Sequence, residues 1–341
     1  MISPVIGVLL TAHSAVGVQP PAEWPTPRGY VCYRAETPPE IDGRLNDPAW
    51  LQAPWTEAFV DIEGDVRPKP THETRAKMLW DDDYLYISAL LREPHVWATL
   101  IEHDSVIFQD PDFEVFIDPD SDNHNYYEIE VNAFGTEWDL RLVKPYKDDG
   151  PALNEWEIPG LQLATYVEGT INDPSDQDTY WSVEFAFPWE ALGEFAKCPA
   201  PPRHGDQWRV GFSRVEWDIE IADGAYRKIE GRPEHNWIWS PQGVIDMHRP
   251  ETWGYVQFST SDPGTGEFRR DPTERARLML HRIYYAQRDY RGRHGRWAES
   301  LDELGVDADV DLRLTDEGYV LSADVDGRRV CIRQDSLVWV E

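Results

Sequence analysis

Asp112-Phe-Glu-Val-Phe-Ile-Asp118, followed closely by Tyr126-Tyr-Glu-Ile-Glu-Val-Asn132, decides the fold class. Side chains on a strand alternate between two faces, so Phe113, Val115 and Ile117 share one face and Glu114, Phe116 and Asp118 the other. In the second run Tyr127, Ile129 and Val131 form the apolar set, which places Glu128, Glu130 and Asn132 together. Paired as a hairpin, the two runs turn one apolar face to a core and bring their polar faces into one patch of Glu114, Glu130 and Asn132 beside Phe116. Asp139 and Arg141 on the next run are expected to extend that patch.

The same theme continues outward in both directions. Arg75 to Leu79, Tyr84 to Leu91, Trp138 to Leu142, Trp181 to Phe187, Trp208 to Glu216 and Gly254 to Phe258 are short runs rich in β-branched and aromatic residues. Asp-Asp, Asn, Pro and Gly clusters separate them, and no long helical period intervenes. This predicts a mainly β unit over 30–259, an antiparallel sandwich of the immunoglobulin or jelly-roll kind. After a break at 260–270, Asp271, Pro272 and Glu274 form a helix start, and Ala276, Leu280, Ile283 and Tyr284 recur at helical spacing until Gly292 and Gly295 stop the run. Short runs between Asp311 and Val340, with Asp326-Gly327 as a tight turn, complete a small α+β unit over 271–341.

Ahead of the sandwich, Met1 to Gly17 is a short apolar run giving way to small and polar residues, which reads as an export signal. The proline-rich stretch Gln19 to Arg28 reads as a linker, so 1–29 stands outside the folded units and the protein is expected to be secreted or periplasmic. The 341 residues carry 32 Lys plus Arg against 63 Asp plus Glu, a formal charge of -31. That field repels phosphate backbones and anionic headgroups, which argues against nucleic acid as a partner. No stretch has the length and apolarity of a membrane span. Cys32, Cys198 and Cys331 follow no zinc or redox spacing; the odd count leaves at least one thiol unpaired, and a Cys32–Cys198 bridge stays open.

Four segments, in order and spacing, resemble carbohydrate-binding module family 9: Ile41-Asp-Gly-Arg-Leu-Asn-Asp-Pro-Ala-Trp50, Met78-Leu-Trp-Asp-Asp-Asp-Tyr-Leu-Tyr-Ile87, Asp112 to Asp118, and the closing His248-Arg-Pro-Glu-Thr-Trp-Gly-Tyr-Val256. The resemblance implies a sandwich that binds polysaccharide or oligosaccharide without catalysis, in support of glycan capture or degradation. It also implies a departure. Members that grip a sugar between two tryptophans carry them at positions matching Phe108 and Met247, and an arginine of some members matches Glu130. The tryptophan clamp is not retained, and the family's sugar-end specificity does not transfer.

A sugar needs hydrogen-bonding partners for its hydroxyls and a flat apolar surface for its C–H face. Glu114, Glu130, Asn132 and Arg141 are the hydrogen-bonding candidates; Phe108, Trp217 and Trp237 are the stacking candidates, the two tryptophans bordering the irregular stretch 218–236. Arg214 and Glu216 share a face near that stretch and read equally well as an internal ion pair. Asp118, Asp120 and Asp122 offer oxygen ligands at alternate positions, as a calcium loop does, and the resemblance also implies structural calcium; an acidic β-turn is the alternative.

Two further function classes stay open. Glu114 with Glu130 is the carboxylate pair that a glycoside hydrolase would use. An adhesion or assembly role is the other: Arg282 to Gly305 resembles the helix-to-loop segment of type IV pilin and pseudopilin heads, without their N-terminal assembly helix. A docking or spacer module with a protein partner is expected of that unit.

Overall fold

A computed structural model describes residues 24–341, so the expected export segment lies outside the described residues. In chain order the first strands are Gly29–Arg34 (β1), Val60–Asp61 (β2), Thr74–Trp80 (β3), Tyr84–Arg92 (β4), Asp112–Asp118 (β5), Tyr126–Asn132 (β6), Glu137–Leu142 (β7) and Ala152–Leu153 (β8). Gln162–Glu168 (β9), Tyr180–Pro188 (β10), a helical turn at Trp189–Leu192 (α1), Gln207–Glu216 (β11), Ile219–Ala222 (β12), Ala225–Lys228 (β13), His235–Ile238 (β14) and Gly254–Ser259 (β15) follow.

One sheet runs β8-β7-β6-β5-β11-β15-β1-β3-β4-β10-β9, with β14 and β2 joined beside β11. Strand β1 is parallel to both β15 and β3, and the other ladders are antiparallel. The sheet curls into a sandwich because both halves carry an apolar face that needs covering. Phe113, Val115, Ile129 and Phe212 from one half meet Met78, Ile87, Val183 and Phe185 from the other in a single core. The mainly β sandwich that the alternation predicts is the fold observed.

Trp50 is fully buried at the edge of the sandwich, and its indole Nε1 donates to Glu184 at 2.6 Å. The backbone N–H groups of Asp42 and Gly43 donate to the other oxygen of the same carboxylate. Gly43 holds φ +82°, and a Cβ there would lie 2.4 Å from the Thr165 backbone, so glycine is required twice over. Asp81 closes the β3–β4 hairpin by accepting from the backbone N–H groups of Asp83 and Tyr84.

Three details depart from the sequence reading. The stretch 218–236 is not irregular: β12 and β13 form a hairpin through Asp223 and Gly224, both at positive φ, and β14 pairs with β11. Strand β9 was unsignalled, being half-exposed along most of its length. Gly292 lies inside the C-terminal helix Glu274–His294 (α2), which Gly295 ends at φ 71°. All three cysteines are free, which closes the question of a Cys32–Cys198 bridge.

Helix α2 is followed by Leu301–Leu304 (α3), capped by Ser300, and by the strands Asp311–Leu314 (β16), Tyr319–Val325 (β17), Arg328–Arg333 (β18) and Val338–Val340 (β19). These strands form an antiparallel sheet in chain order, on which Leu280, Ile283 and Tyr284 of α2 pack. Trp24, upstream of β1, joins this second core.

The seam between sandwich and C-terminal unit is polar and buried. Asp148 accepts from Tyr284 Oη at 2.5 Å, Ser336 Oγ at 2.6 Å and Arg288 Nη1 at 3.0 Å. Glu251 accepts from Tyr285 Oη at 2.5 Å and pairs with Lys147 at 2.9 Å. Despite burial, Lys147, His281 and Arg249 hold the Glu251 carboxyl down at about 2. Asp148→Ala should therefore cost about 3 kcal/mol of stability, because it strands the buried Tyr284 and Ser336 hydroxyls and removes the counter-charge of the partly exposed Arg288. Denaturant unfolding checks this, and a loss below about 1 kcal/mol would show that the seam tolerates an unpaired guanidinium.

Candidate functional site

Strand β5 pairs with β6 so that Glu114 faces Glu130, Phe116 faces Glu128 and Asp112 faces Asn132. On its other side β5 meets β11, with Ser213 opposite Glu114 and Gly211 opposite Phe116. The carboxylates of Asp112, Glu114, Glu128 and Glu130 thus share the sheet face turned away from the core. Paired residues project to the same side.

That face is not solvated. Asp112, Glu114, Glu128 and Glu130 are all buried, under the segments carrying Phe108, Trp217 and His248. Phe116, Tyr126, Leu140 and Trp253 cover the neighbouring part of the face, and Trp253 seats on Gly211, where a Cβ would meet its ring at 3.0 Å.

The backbone of Phe108 ties the site together. Its N–H donates to Glu130 Oε2 at 2.9 Å, and its carbonyl accepts from Trp217 Nε1 at 3.0 Å. Phe108, Trp217 and Trp138 are each half-buried, and Trp138 is the β7 neighbour of Glu130. Lys228 sets its amine 3.4 Å from the centre of the Trp217 ring, a cation–π contact that covers one face of the indole. Tyr146, half exposed, packs edge-on against His248 at 4.5 Å, and His248 in turn accepts or donates at Tyr126 Oη at 2.9 Å. The result is a carboxylate floor framed by Phe108, Trp138, Trp217 and Tyr146.

Electrostatically the floor is under-neutralised. Among the described residues no Lys or Arg forms an ion pair with Asp112, Glu114 or Glu130; Glu128 has only His248, at 3.9 Å. Burial pushes the Glu114 carboxyl up to about 7, with Glu234 adding to the rise and the nearby Ser213 hydroxyl opposing it. Burial first and neighbouring carboxylates second raise Asp112, Glu128 and Glu130 well above the usual range. His248 falls to about 4, chiefly through burial.

Four of the expected ligand residues come together here: Phe108, Glu114, Glu130 and Trp217. Three do not. Arg141 pairs with Tyr127 and Asp139 with Ile129, so both lie on the opposite face; Arg141 donates to Asn125 Oδ1 at 2.7 Å and stacks 3.6 Å from the Phe195 ring centre. The face over β7 is covered by Trp253, and β7 accordingly presents Trp138 and Leu140 there rather than its charged residues. Asn132 is on the correct face but fully engaged, donating to Leu100 and Asp110 and accepting from Phe134 and Thr136. Trp237 is a core residue, 3 % exposed, with the Arg214 guanidinium 5.2 Å from its ring. Arg214 forms the internal ion pair, to both Glu93 and Glu216. Trp138, Tyr146, Ser213 and Lys228 were missed; the period of β7 carried the signal for Trp138, once apolar rather than polar residues are followed across the sheet.

Asp118, Asp120 and Asp122 also converge, their ligand atoms within 4.8 Å of one another. Asp118 Oδ1 is buried without a partner, while the Lys197 amine contacts Asp122 and its N–H donates to Asp120 at 2.9 Å. This turn abuts the C-terminal unit: the Asp122 carbonyl accepts from Val338 N, and Asn123 donates to the Ser336 carbonyl.

A curled β-sandwich with a carboxylate floor and a frame of half-exposed rings defines a binding module of the carbohydrate-recognising class. The sequence profile of the family described as Carbohydrate family 9 binding domain-like matches residues 41–257, and the chain belongs to that family. It is 27% identical over 157 residues to the exoglucanase XynX of Acetivibrio thermocellus, a match covering 45% of this chain and 12% of that protein. The chain thus spans about an eighth of that curated relative's length. Its fold is similar to a putative carbohydrate-binding protein from Bacteroides uniformis, with TM-score 0.50, 15% identity, and coverage of 69% of this chain and 100% of that one. A carbohydrate binding module family 9 from Caldicellulosiruptor kristjanssonii in complex with cellotriose gives TM-score 0.46 at 15% identity, covering 71% and 100%.

The raised Glu114 carboxyl has a measurable consequence. In metal-free buffer the folded protein keeps that proton to about pH 7, whereas the unfolded chain releases it near 4.5. The folded state binds more protons in this window, so the stabilisation is full below 4.5 and is lost as pH rises through 7. Denaturant stabilities of the wild type relative to Glu114→Gln should fall by up to about 3 kcal/mol between pH 4.5 and 7. A flat difference across that range would contradict a protonated Glu114.

Proposed function

We propose that this protein binds a polysaccharide or oligosaccharide without transforming it, on the sheet face that carries Glu114 and Glu130 beneath Phe108 and Trp217. The observation that carries this reading is the association of half-buried Phe108, Trp138 and Trp217 with hydrogen-bonding carboxylates on one sheet face of a family 9 sandwich. Rings supply a surface for a pyranose C–H face at low entropic cost, and carboxylates accept from its hydroxyls. Phe108 and Trp217 are the stacking residues, and Glu114 and Glu130 the acceptors. Membership of the Carbohydrate family 9 binding domain-like family supports a glycan as the ligand class, as does the similar fold named a putative carbohydrate-binding protein.

Several further features fit the same reading. The N-terminal apolar run supports export, and among the described residues no helix is long and apolar enough to cross a membrane. Asp118, Asp120 and Asp122 are a hard-oxygen donor set suited to calcium, with the unpartnered Asp118 oxygen as the position that a cation would satisfy; Lys197 supplies a single positive charge against three carboxylates. A calcium ion there would brace the turn that docks on the C-terminal unit. We read that unit, a helix packed on a four-stranded sheet, as a fixture through which a protein partner would be held.

Isothermal titration against a glycan panel, with analysis of products, tests the proposal. Trp217→Ala and Phe108→Ala should each weaken binding about tenfold or more, the cost of losing a stacked ring, and leave the glycan intact. Trp237→Ala should instead lower the melting temperature, because it empties a core site. Release of shortened glycan would replace binding by hydrolysis, with Glu114 and Glu130 as the carboxylate pair.

A further inference from the structure

The buried carboxylate floor poses a chemical problem that sugar binding alone does not solve. Buried carboxylates normally find donors or a counter-charge. Asp110, close by, shows the ordinary solution: it accepts from Thr99 N and Oγ1, Leu100 N and Asn132 Nδ2. Glu114 is different. It is 5 % exposed, and its Oε2 has no partner. Asp112 is fully buried, with Oδ1 accepting from Val215 N at 3.1 Å and Oδ2 unpartnered. Glu130 spends one oxygen on Phe108 N.

A second observation comes from outside the acidic set. Ser213 is fully buried on β11, directly opposite Glu114 on the same face, and its hydroxyl also lacks a hydrogen-bond partner of good geometry. Ser213 thus sets a buried neutral oxygen beside Glu114, near enough to act on its carboxyl yet without a well-aligned hydrogen bond, and ligand atoms of Asp112, Glu114 and Glu130 lie within 4.8 Å of one another. That spacing is what oxygens spanning one calcium coordination sphere have, at ligand distances of about 2.3–2.6 Å. The Lys228 amine, whose charge is felt at Asp112, sits over the Trp217 ring and forms no ion pair with the acidic set.

We infer that Asp112, Glu114 and Glu130, with the Ser213 hydroxyl, form a buried divalent-cation site of the calcium class on this sheet face, separate from Asp118, Asp120 and Asp122. The donors are hard oxygens, suited to calcium rather than to a soft metal. They approach from the sheet side only. The cation's remaining coordination positions lie on the side away from the strands, beneath Phe108 and Trp217, where sugar hydroxyls reaching under those rings can occupy them; this second half rests on the glycan-binding reading above.

The test uses the full chain, stripped with a chelator and titrated with calcium by calorimetry. Glu114→Gln and Asp112→Asn should each weaken one calcium-binding event tenfold or more, while Asp120→Asn/Asp122→Asn leaves that event in place. Terbium, titrated in parallel, should show indole-sensitised emission that Glu114→Gln and Trp138→Phe diminish. Unchanged calcium stoichiometry and affinity in both Glu114→Gln and Asp112→Asn would overturn the site. Glycan titration with and without calcium separates the two readings. Weaker glycan binding in chelator supports cation-assisted recognition, and equal affinity overturns it while leaving glycan binding intact. Calcium bound at Glu114 by a protein that takes no glycan sustains the metal site and sinks the carbohydrate reading.

Discussion

The register between β5 and its two neighbours is the constraint on which the site depends. Glu114 is locked between Glu130 and Ser213 by ladders whose opposite faces are filled with Phe113, Val115, Ile129 and Phe212. A slip of one residue would drive the carboxylates into the core and the aromatics out, so the hydrophobic burial that makes the sandwich also fixes the acidic row on the other side. The carboxylates do not choose their company. Their mutual proximity is a by-product of core packing, and its electrostatic cost is met by protonation or by a bound cation.

The second unit bears on this through rigidity. Helix α2 and its sheet are joined to the sandwich by buried acids: Asp148 holds Tyr284, Arg288 and Ser336 of the C-terminal unit, and Glu251 holds Tyr285 together with the sandwich's own Lys147. The same surface captures the Asp118 to Asn125 turn that links β5 to β6, through Val338, Ser336 and Asp335. One end of the hairpin that carries Glu114 and Glu130 is thereby clamped. Preorganised strands lose little entropy on ligand binding, which makes a cleft built on them more selective than one built on loops.

How much of this was legible in the sequence varies by residue. The alternation of β5 and β6 gave both the core set and the Glu114–Glu130 pairing, because period two is unambiguous when one face is wholly apolar. The same logic failed one strand further out. On β7 the charged residues Asp139 and Arg141 were assumed to continue a polar face, yet Trp253 and Phe116 make that face apolar beyond Glu128. Covering segments far away in sequence set this, and no local pattern reports them. Trp237 was misplaced for a related reason: it sits on a strand that adds to the sheet beside β11, and the Asp223-Gly224 turn that would have disclosed the ordered hairpin before it was passed over.

The departures from the family's sugar clamp follow a common direction. Where the resemblance leads one to expect an indole, Phe108 offers a smaller ring whose backbone bridges Glu130 and Trp217. Where it leads one to expect a guanidinium, Glu130 supplies a carboxylate. An arginine facing Glu114 would neutralise it and donate to a sugar oxygen; Glu130 accepts and adds charge when ionised, and offers a single O–H donor when burial keeps it protonated. Exchanging a donor for an acceptor at the centre of the floor changes which part of a ligand can be held there. Acceptors pair with hydroxyl protons or with a cation, so a ligand matched to this floor must bring one or the other. A carboxylate-bearing sugar, which would satisfy an arginine, is repelled by this floor wherever its carboxyls are ionised and no metal ion stands between.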